Sequence, residues 1–202
     1  MDCDLMQRRF AIIGHRAPSS GKLNLNDLSG GSGRLDVLLR AVNSALFLSH
    51  GIRTDSHITL HLEGGPGPSR RIWFNGETLA GVRCDERSIA GQIKAILKRP
   101  AKPIGVFDQV TQGIFDTGGN LTTTLADWKR EDVTLYVLDA EGEPIENIEK
   151  SERIGFILSD DRIFTDEEQK LMAHLPRISL GKKWLQGHSC ITIVHHFLDK
   201  KD

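Results

Sequence analysis

Residues 178–199 read ISLGKKWLQGHSCITIVHHFLD, and the reading of this stretch decides the fold. His188, Cys190, His195 and His196 fall within nine positions, and the β-branched run Ile191, Thr192, Ile193, Val194 passes through them. By pattern alone CITIVHHF is a strand, because β-branched residues in succession suit a pleated surface. The histidines and the cysteine are also zinc-ligand types. Adjacent histidines on a helix, however, point about 100° apart, and the gap from Cys190 to His195 puts them on different faces.

Around this stretch lies a chain of 202 residues with 39% apolar content, enough to bury one core. Residues 10–13 behind Arg8 and Arg9 are too short an apolar run for a signal peptide, and no stretch approaches the roughly 20 residues of a membrane helix. The expectation is a soluble cytoplasmic protein. Cys3, Cys84 and Cys190 are an odd number without CxxC spacing, which suggests neither a disulfide framework nor a structural zinc site. With 26 basic against 27 acidic residues, bulk charge cannot hold nucleic acid, so an RNA partner must meet a local patch.

Residues 8–15 read as a strand and 17–33 as a long polar loop. Leu35, Leu38, Leu39, Val42, Ala45, Leu46 and Leu48 keep close to helical spacing, with Ser32 as the expected cap. Strands follow at 57–63 and within 70–82, where Asn75-Gly76 is a hairpin signal, with GGPGPS as the turn between them. A helix over 85–100 is capped near Asp85 and stopped by Pro100. Residues 101–120 show no period and read as irregular. Then come a short helix (121–132), a strand (133–139), a strand (154–159), a helix opened by the capping box of Thr165 and Glu168, and a strand at 177–180. Strands alternating with helices point to an α/β sheet with parallel members.

Ligands of open parallel sheets bind beyond the carboxyl ends of strands, and three such ends lie in the C-terminal third: DAEGE, DDRIF and GKKWLQGHS. No GxGxxG follows a strand and no GxxxxGK[ST] exists, which removes the dinucleotide fingerprint and the phosphate loop.

The stretches NLNDLSGGSGRLDVLLRAVNSALFLSHGIRTD (24–55), DERSIAGQIKAIL (85–97), YVLDAEGE (136–143), FILSDDRIF (156–164) and residues 178–199, in that order, resemble the TrmY family. These are archaeal SPOUT-superfamily methyltransferases acting on N1 of pseudouridine 54 in the T-loop of tRNA. The resemblance implies a single α/β domain over 1–202, a mostly parallel sheet flanked by helices, with about 133–202 threaded into a deep trefoil knot. It makes CITIVHHF the helix that passes through the knot, with Ile191, Val194 and Leu198 on one side and Ile193 and Phe197 on the next, for nearly all-round burial. It also implies a homodimer and S-adenosylmethionine as cofactor. Its contacts would be Leu138 on the first loop, Ser159 on the second, and Ser179, Leu180, Gly181, Leu185, Ser189 and Cys190 on the third. The second loop departs from the family pattern, with Ser159, Asp160 and Asp161 where glycine followed by Asp-His is typical.

N1 of pseudouridine must lose a proton as it attacks, so a carboxylate to accept it and an arginine to steady the uracil carbonyls are needed. Asp36 is the expected proton acceptor, and Arg34, the second catalytic candidate, is expected to hold base or phosphate. Arg40, four residues on from Asp36, is expected to hold base or phosphate; an ordinary Asp36–Arg40 ion pair is the plainer reading. Arg87, Lys94 and Lys98 on the second helix are the expected phosphate strip, against a solvated helix face. Trp73, Trp128 and Trp184 are the stacking candidates; Trp184 in the third loop is foremost, and for Trp73 inside a strand core packing is the plainer reading. Two other functional readings stand: a non-catalytic RNA-binding relative, and a metal-dependent regulator using His188, Cys190 and the His195-His196 pair.

Overall fold

In the computed structural model, which describes residues 6–21 and 23–200, the organising strand is β1 (Gln7–Gly14). Cys3 lies outside the described residues. Phe10 and Ile12 feed one face of the sheet and Ala11 and Ile13 the other, all fully buried, as the period-2 alternation of a strand covered on both sides requires. After β1 come α1 (Leu35–Leu46), the two-residue strands β2 (Phe47–Leu48) and β3 (Gly51–Ile52), β4 (Ser56–Leu62), β5 (Arg70–Asn75) and α2 (Glu86–Leu97). The chain continues through β6 (Asp108–Thr111), β7 (Ile114–Gly118), α3 (Leu121–Arg130), β8 (Thr134–Pro144) and β9 (Arg153–Ser159). It ends with α4 (Asp166–Leu171), β10 (Arg177–Ser179) and α5 (Gly187–Asp199).

Eight strands form one sheet in the order β10-β8-β9-β1-β4-β5-β7-β6. The block from β10 to β4 is parallel, and the remaining pairings are antiparallel. Helices α1, α2 and α5 cover one face through Leu38, Val42, Ile93, Ile191, Val194 and Leu198, while α3 and α4 cover the other with Trp128 and Met172. The fold is therefore α/β, with a mostly parallel sheet flanked by helices.

Helix caps behave as the sequence indicates at two places. Asp85 accepts from the Ser88 amide at 2.8 Å, and Thr165 and Glu168 form the full capping box. Ser32 does not cap α1. Its hydroxyl is held by the backbone of Asn24 (3.2 and 3.1 Å), and the helix begins after Arg34 in left-handed conformation (φ 61°). The Asn75-Gly76 pair does not turn a hairpin either. The Asn75 side chain accepts from the Glu77 amide at 2.9 Å, β5 pairs with β4 and β7, and the β4–β5 connection is GGPGPS. Residues 101–120 are not irregular throughout, since they contain the β6–β7 hairpin. Asp116 in the middle of β7 spoils the apolar alternation there. It is admitted because buried Arg70 grips both its oxygens (2.6 and 2.5 Å) and also donates to the Arg99 and Pro100 carbonyls.

The 190–197 run is a helix, not the strand its residue types favour. β-Branched residues cost only a few tenths of a kcal/mol each in a helix, far less than burial of Ile191, Val194 and Leu198 (each 0% exposed) contributes. Burial is one-sided rather than nearly all-round: Thr192 and His196 are exposed, and Ile193 and Phe197 are half-buried.

Candidate functional site

The carboxyl ends of β8, β9 and β10 are adjacent in the sheet, and the three segments that leave them enclose a cavity of about 490 Å³ closed by the start of α5. Its walls are largely apolar (Leu138, Leu158, Phe164, Ile178, Leu180, Leu185), with Asp139, Asp160, Asp161 and Arg177 at intervals. Six of the eight expected cofactor residues line it: Leu138, Ser159, Leu180, Gly181, Leu185 and Cys190. Ser179 and Ser189 do not. Ser179 works behind the wall, where its hydroxyl donates to the Ala140 carbonyl (3.0 Å) and accepts from the Gly181 amide (3.1 Å), tying the first loop to the third.

Gly181 has φ +124°, a conformation that side chains rarely adopt, and nothing lies within 4 Å of where its Cβ would be. Gly187 opens α5 within 3.1 Å (as a built Cβ) of Leu158, so the first turn of the helix sits close on β9. The amides of a helix's first turn have no intrahelical acceptor, which leaves them available at the cavity. Burial pushes the Cys190 thiol pKa up, so it stays protonated and serves as an apolar wall.

The second loop is clamped by a residue outside the expected set. His15, just past β1, meets Asp160 through Nδ1 (2.9 Å) and Glu168 through Nε2 (3.0 Å), and its backbone amide donates to Asp160 (2.9 Å). Hydrogen bonds to Asp160 and then Glu168 raise its pKa to about 9, against the opposing effect of burial. It is therefore an imidazolium donating from both nitrogens at neutral pH. The signal was present in the sequence: β1 is a fourth parallel strand, and GHRAPS leaves its carboxyl end.

An unbroken chain of ion pairs runs from that loop to α2. Arg16 and Arg34 both reach Asp161, Arg34 holds Asp36 (2.9 and 3.2 Å), Asp36 takes Arg40 (3.0 Å), and Arg40 reaches Glu86 (3.1 Å). Asp36 is buried, lies outside the cavity wall, and has both oxygens on guanidinium groups. The plain Asp36–Arg40 ion pair is therefore present, but as one link of a longer network. Gly33 and Arg34 both have φ near +61°, and a Cβ on Gly33 would fall 1.9 Å from the Arg16 carbonyl oxygen. Glycine adopts this conformation freely, so any strain sits at Arg34, whose guanidinium meets both Asp36 and Asp161.

The family model described as "Putative SAM-dependent RNA methyltransferase" matches residues 7–202. The chain belongs to this family. Among its relatives, the tRNA (pseudouridine(54)-N(1))-methyltransferase of Haloferax volcanii is 38% identical over 195 residues, covering 95% of this chain and 96% of its own. The protein of the same name from Methanosarcina acetivorans is 39% identical over 198 residues, covering 96% and 92%. Among solved structures, the crystal structure of Archaeoglobus fulgidus Nep1 bound to S-adenosylhomocysteine superposes with a TM-score of 0.65 at 12% identity, over 96% of this chain and 98% of that one. That likeness is one of fold.

In this RNA methyltransferase family member the expected phosphate contacts are only partly free. Arg40 is engaged by Asp36 and Glu86, and Arg87 donates to the Asn26 side chain (3.3 Å). Lys94 and Lys98 make no ion pair among the described residues. Trp184 is 71% exposed at the cavity mouth. The His-Cys cluster is dispersed: His195 is buried, with Nε2 on the Ala45 carbonyl (3.1 Å) and Nδ1 on Arg8 (3.3 Å), while His196 is exposed. Burial, then Arg53 and Arg8, pushes the His195 pKa down to about 3, so it is a neutral core residue. Among the described residues, no group of three or more His, Cys, Asp or Glu side chains is placed to hold a metal ion, and no helix is long and apolar enough to cross a membrane.

Proposed function

We propose that the chain transfers the methyl group of S-adenosylmethionine to N1 of a pseudouridine in tRNA, position 54 by the names of its relatives. It would act as a homodimer whose last 70 or so residues form the knotted cofactor cradle of SPOUT enzymes. The observation that carries this reading is the cavity at the carboxyl ends of three neighbouring parallel strands, closed by the first turn of α5. Its size and lining suit the cofactor. The apolar walls accept an adenine and a methionyl chain, Gly181 lets backbone approach closely, and the protonated Cys190 thiol adds no charge. Leu138, Ser159, Leu180, Gly181, Leu185 and Cys190 would hold it, with Ser179 bracing the loops and Ser189 contributing through the first turn of α5.

When bound, S-adenosylmethionine supplies a methyl group already activated on a sulfonium, so the residues of this chain chiefly orient and exclude water. As the bond from N1 to the methyl carbon forms and the sulfonium bond breaks, the N1 proton must leave. Asp161 lies on the cavity wall with one oxygen held by Arg16 and Arg34, which makes it the better-placed acceptor. Asp36, with both oxygens engaged, acts as the anchor that aims Arg34, and Arg34 steadies charge on the uracil carbonyls. Arg40, Arg87, Lys94 and Lys98 lie along the α1–α2 side, where the RNA backbone would run.

Calorimetric titration with S-adenosylmethionine and S-adenosylhomocysteine tests the cavity. Both bind, and Cys190→Trp, which fills it, abolishes both. Binding of neither ligand would favour a non-catalytic RNA-binding relative. Labelled cofactor with total RNA, digested to nucleosides, then tests the target; label in any base but pseudouridine overturns it.

A further inference from the structure

A second cleft, of about 340 Å³, opens at the other end of the sheet and shares no lining residue with the cofactor cavity. It lies on the α3 face, between the starts of β1 and β4, the end of β5 and the last turn of α3. Parallel sheets seldom place ligands at this end, and such a cleft is ordinarily filled by side chains. Here it is built differently.

Its floor holds His57, 4% exposed, and Arg71, 2% exposed. Neither ring nitrogen of His57 has a hydrogen-bond partner among the described residues, and neither has Arg71 Nη2. Buried donors and acceptors are nearly always satisfied, and leaving one alone is costly. The rest of Arg71 is fully used: Nε donates to the Gly118 carbonyl (3.1 Å), and Nη1 donates to Thr124 (3.0 Å) and Asp127 (2.8 Å). Beside these groups stands an aromatic wall. Trp73 stacks between His57 (5.7 Å) and Phe115 (4.6 Å), and Phe107, 46% exposed, meets Trp73 edge-on (6.0 Å) with the Arg71 guanidinium against its ring.

Charge decides the class of ligand. Each lining cation has a carboxylate partner, Arg71 in Asp127 (which Arg130 shares) and Arg9 in Glu131 (2.6 Å), and Glu77 adds a further carboxylate to the lining, so the cleft does not favour an added phosphate or carboxylate. Burial, reinforced by Arg9, holds the His57 pKa down to about 4, so at neutral pH its ring offers one N–H and one lone pair. A flat, uncharged ligand with donors and acceptors on its edge satisfies this set once the His57 ring and the Arg71 fork, whose unpaired nitrogens are closed to solvent, turn into the cleft. We propose that the cleft formed by His57, Arg71, Trp73 and Phe107 binds a nucleobase of the RNA substrate other than the one methylated, so that the RNA footprint passes round the sheet from the α1–α2 side to the α3 face. The proposal rests on the RNA methyltransferase reading for the source of the base, and on the cleft alone for its chemistry.

The test uses the full chain saturated with S-adenosylhomocysteine, so that nucleosides cannot report through the cofactor cavity. Uridine, cytidine, adenosine and guanosine are titrated in turn while the indole NMR signal of Trp73, assigned with Trp73→Phe, is followed. At least one nucleoside shifts the signal saturably, and His57→Phe, which keeps the aromatic stack and removes both nitrogens, abolishes the shift. With tRNA as substrate, His57→Phe and Phe107→Ala each raise KM about 5- to 10-fold at unchanged kcat, the lower end of what one stacked base contributes. Phe107 is exposed, so its variant remains informative if His57→Phe fails to fold. A nucleoside shift with unaltered KM supports the cleft as a site for a free nucleoside instead of an RNA base. Inorganic phosphate shifting Trp73 as well as any nucleoside would overturn the proposal in favour of an anion site, and silence of all four nucleosides with unaltered KM would leave a hydrated cleft only. Loss of S-adenosylhomocysteine binding in the unsubstituted chain would instead indict the cofactor cavity, a separate failure.

Discussion

His15 shows how one side chain can hold a cofactor loop in place. Its imidazolium joins the end of β1 to Asp160 on the second loop and to Glu168 in the first turn of α4. Because its folded pKa of about 9 lies above the unfolded value near 6.5, its contribution to stability is fully present below about pH 6.5 and is lost as pH rises through 9. Glu168 is shifted the other way: burial raises its pKa, but the bonds to His15 and Thr165 together outweigh this and lower it, so its share is present above its ordinary value and fades on acidification. Thermal melts from pH 6 to 10 should therefore show a fall in midpoint between 6.5 and 9 that His15→Gln removes, while the variant melts lower at pH 6.5. An identical alkaline slope in both proteins would show that the clamp does not titrate. At the same scale, Arg34→Lys keeps the charge but loses the paired contact with Asp36. A kcat lowered about 10-fold or more with S-adenosylhomocysteine affinity intact is expected, measured by single-turnover methyl transfer.

Among the elements, α5 is where local preference and tertiary packing disagree most. Four β-branched residues in a row favour extended backbone, yet the segment is helical because Ile191, Val194 and Leu198 meet α1 and the sheet on one side. The helix is then only as stable as that contact. Leu198→Ala should cost about 2–5 kcal/mol in denaturant unfolding. Thr192→Ala, on the exposed side, should change stability by less than about 0.5 kcal/mol. Equal losses for the two would mean that burial does not hold the helix. The β6–β7 hairpin tells the complementary story. Its apolar alternation is broken by Asp116, and only the distant Arg70 makes that strand intelligible.

On the scale of the whole molecule, the sheet divides into a parallel block that carries the cofactor cavity and an antiparallel extension from β5 to β6 that does not. The buried Arg70–Asp116 pair lies in the extension, and Asp116→Ala leaves an uncompensated guanidinium there. A loss of about 3–5 kcal/mol in global stability is expected, with S-adenosylhomocysteine affinity of the folded protein unaltered by calorimetry. A weakened affinity would show the two parts to be energetically coupled.

The helices α1 and α2, the Asp85 cap, the Thr165–Glu168 box and the parallel strands were legible in the sequence, because apolar period and capping chemistry are local properties. So were the three loops at the strand ends, since a parallel sheet dictates where its open ends lie. What the linear order concealed depends on partners far along the chain. His15 meets Asp160 across 145 positions, Arg70 meets Asp116 across 46, and Arg34 meets Asp161 across 127. The second cleft, too, exists only once β1, β4, β5 and α3 are side by side. Residue types fix what a side chain can do, but burial and distance select which of those things it does, and both are properties of the folded chain alone.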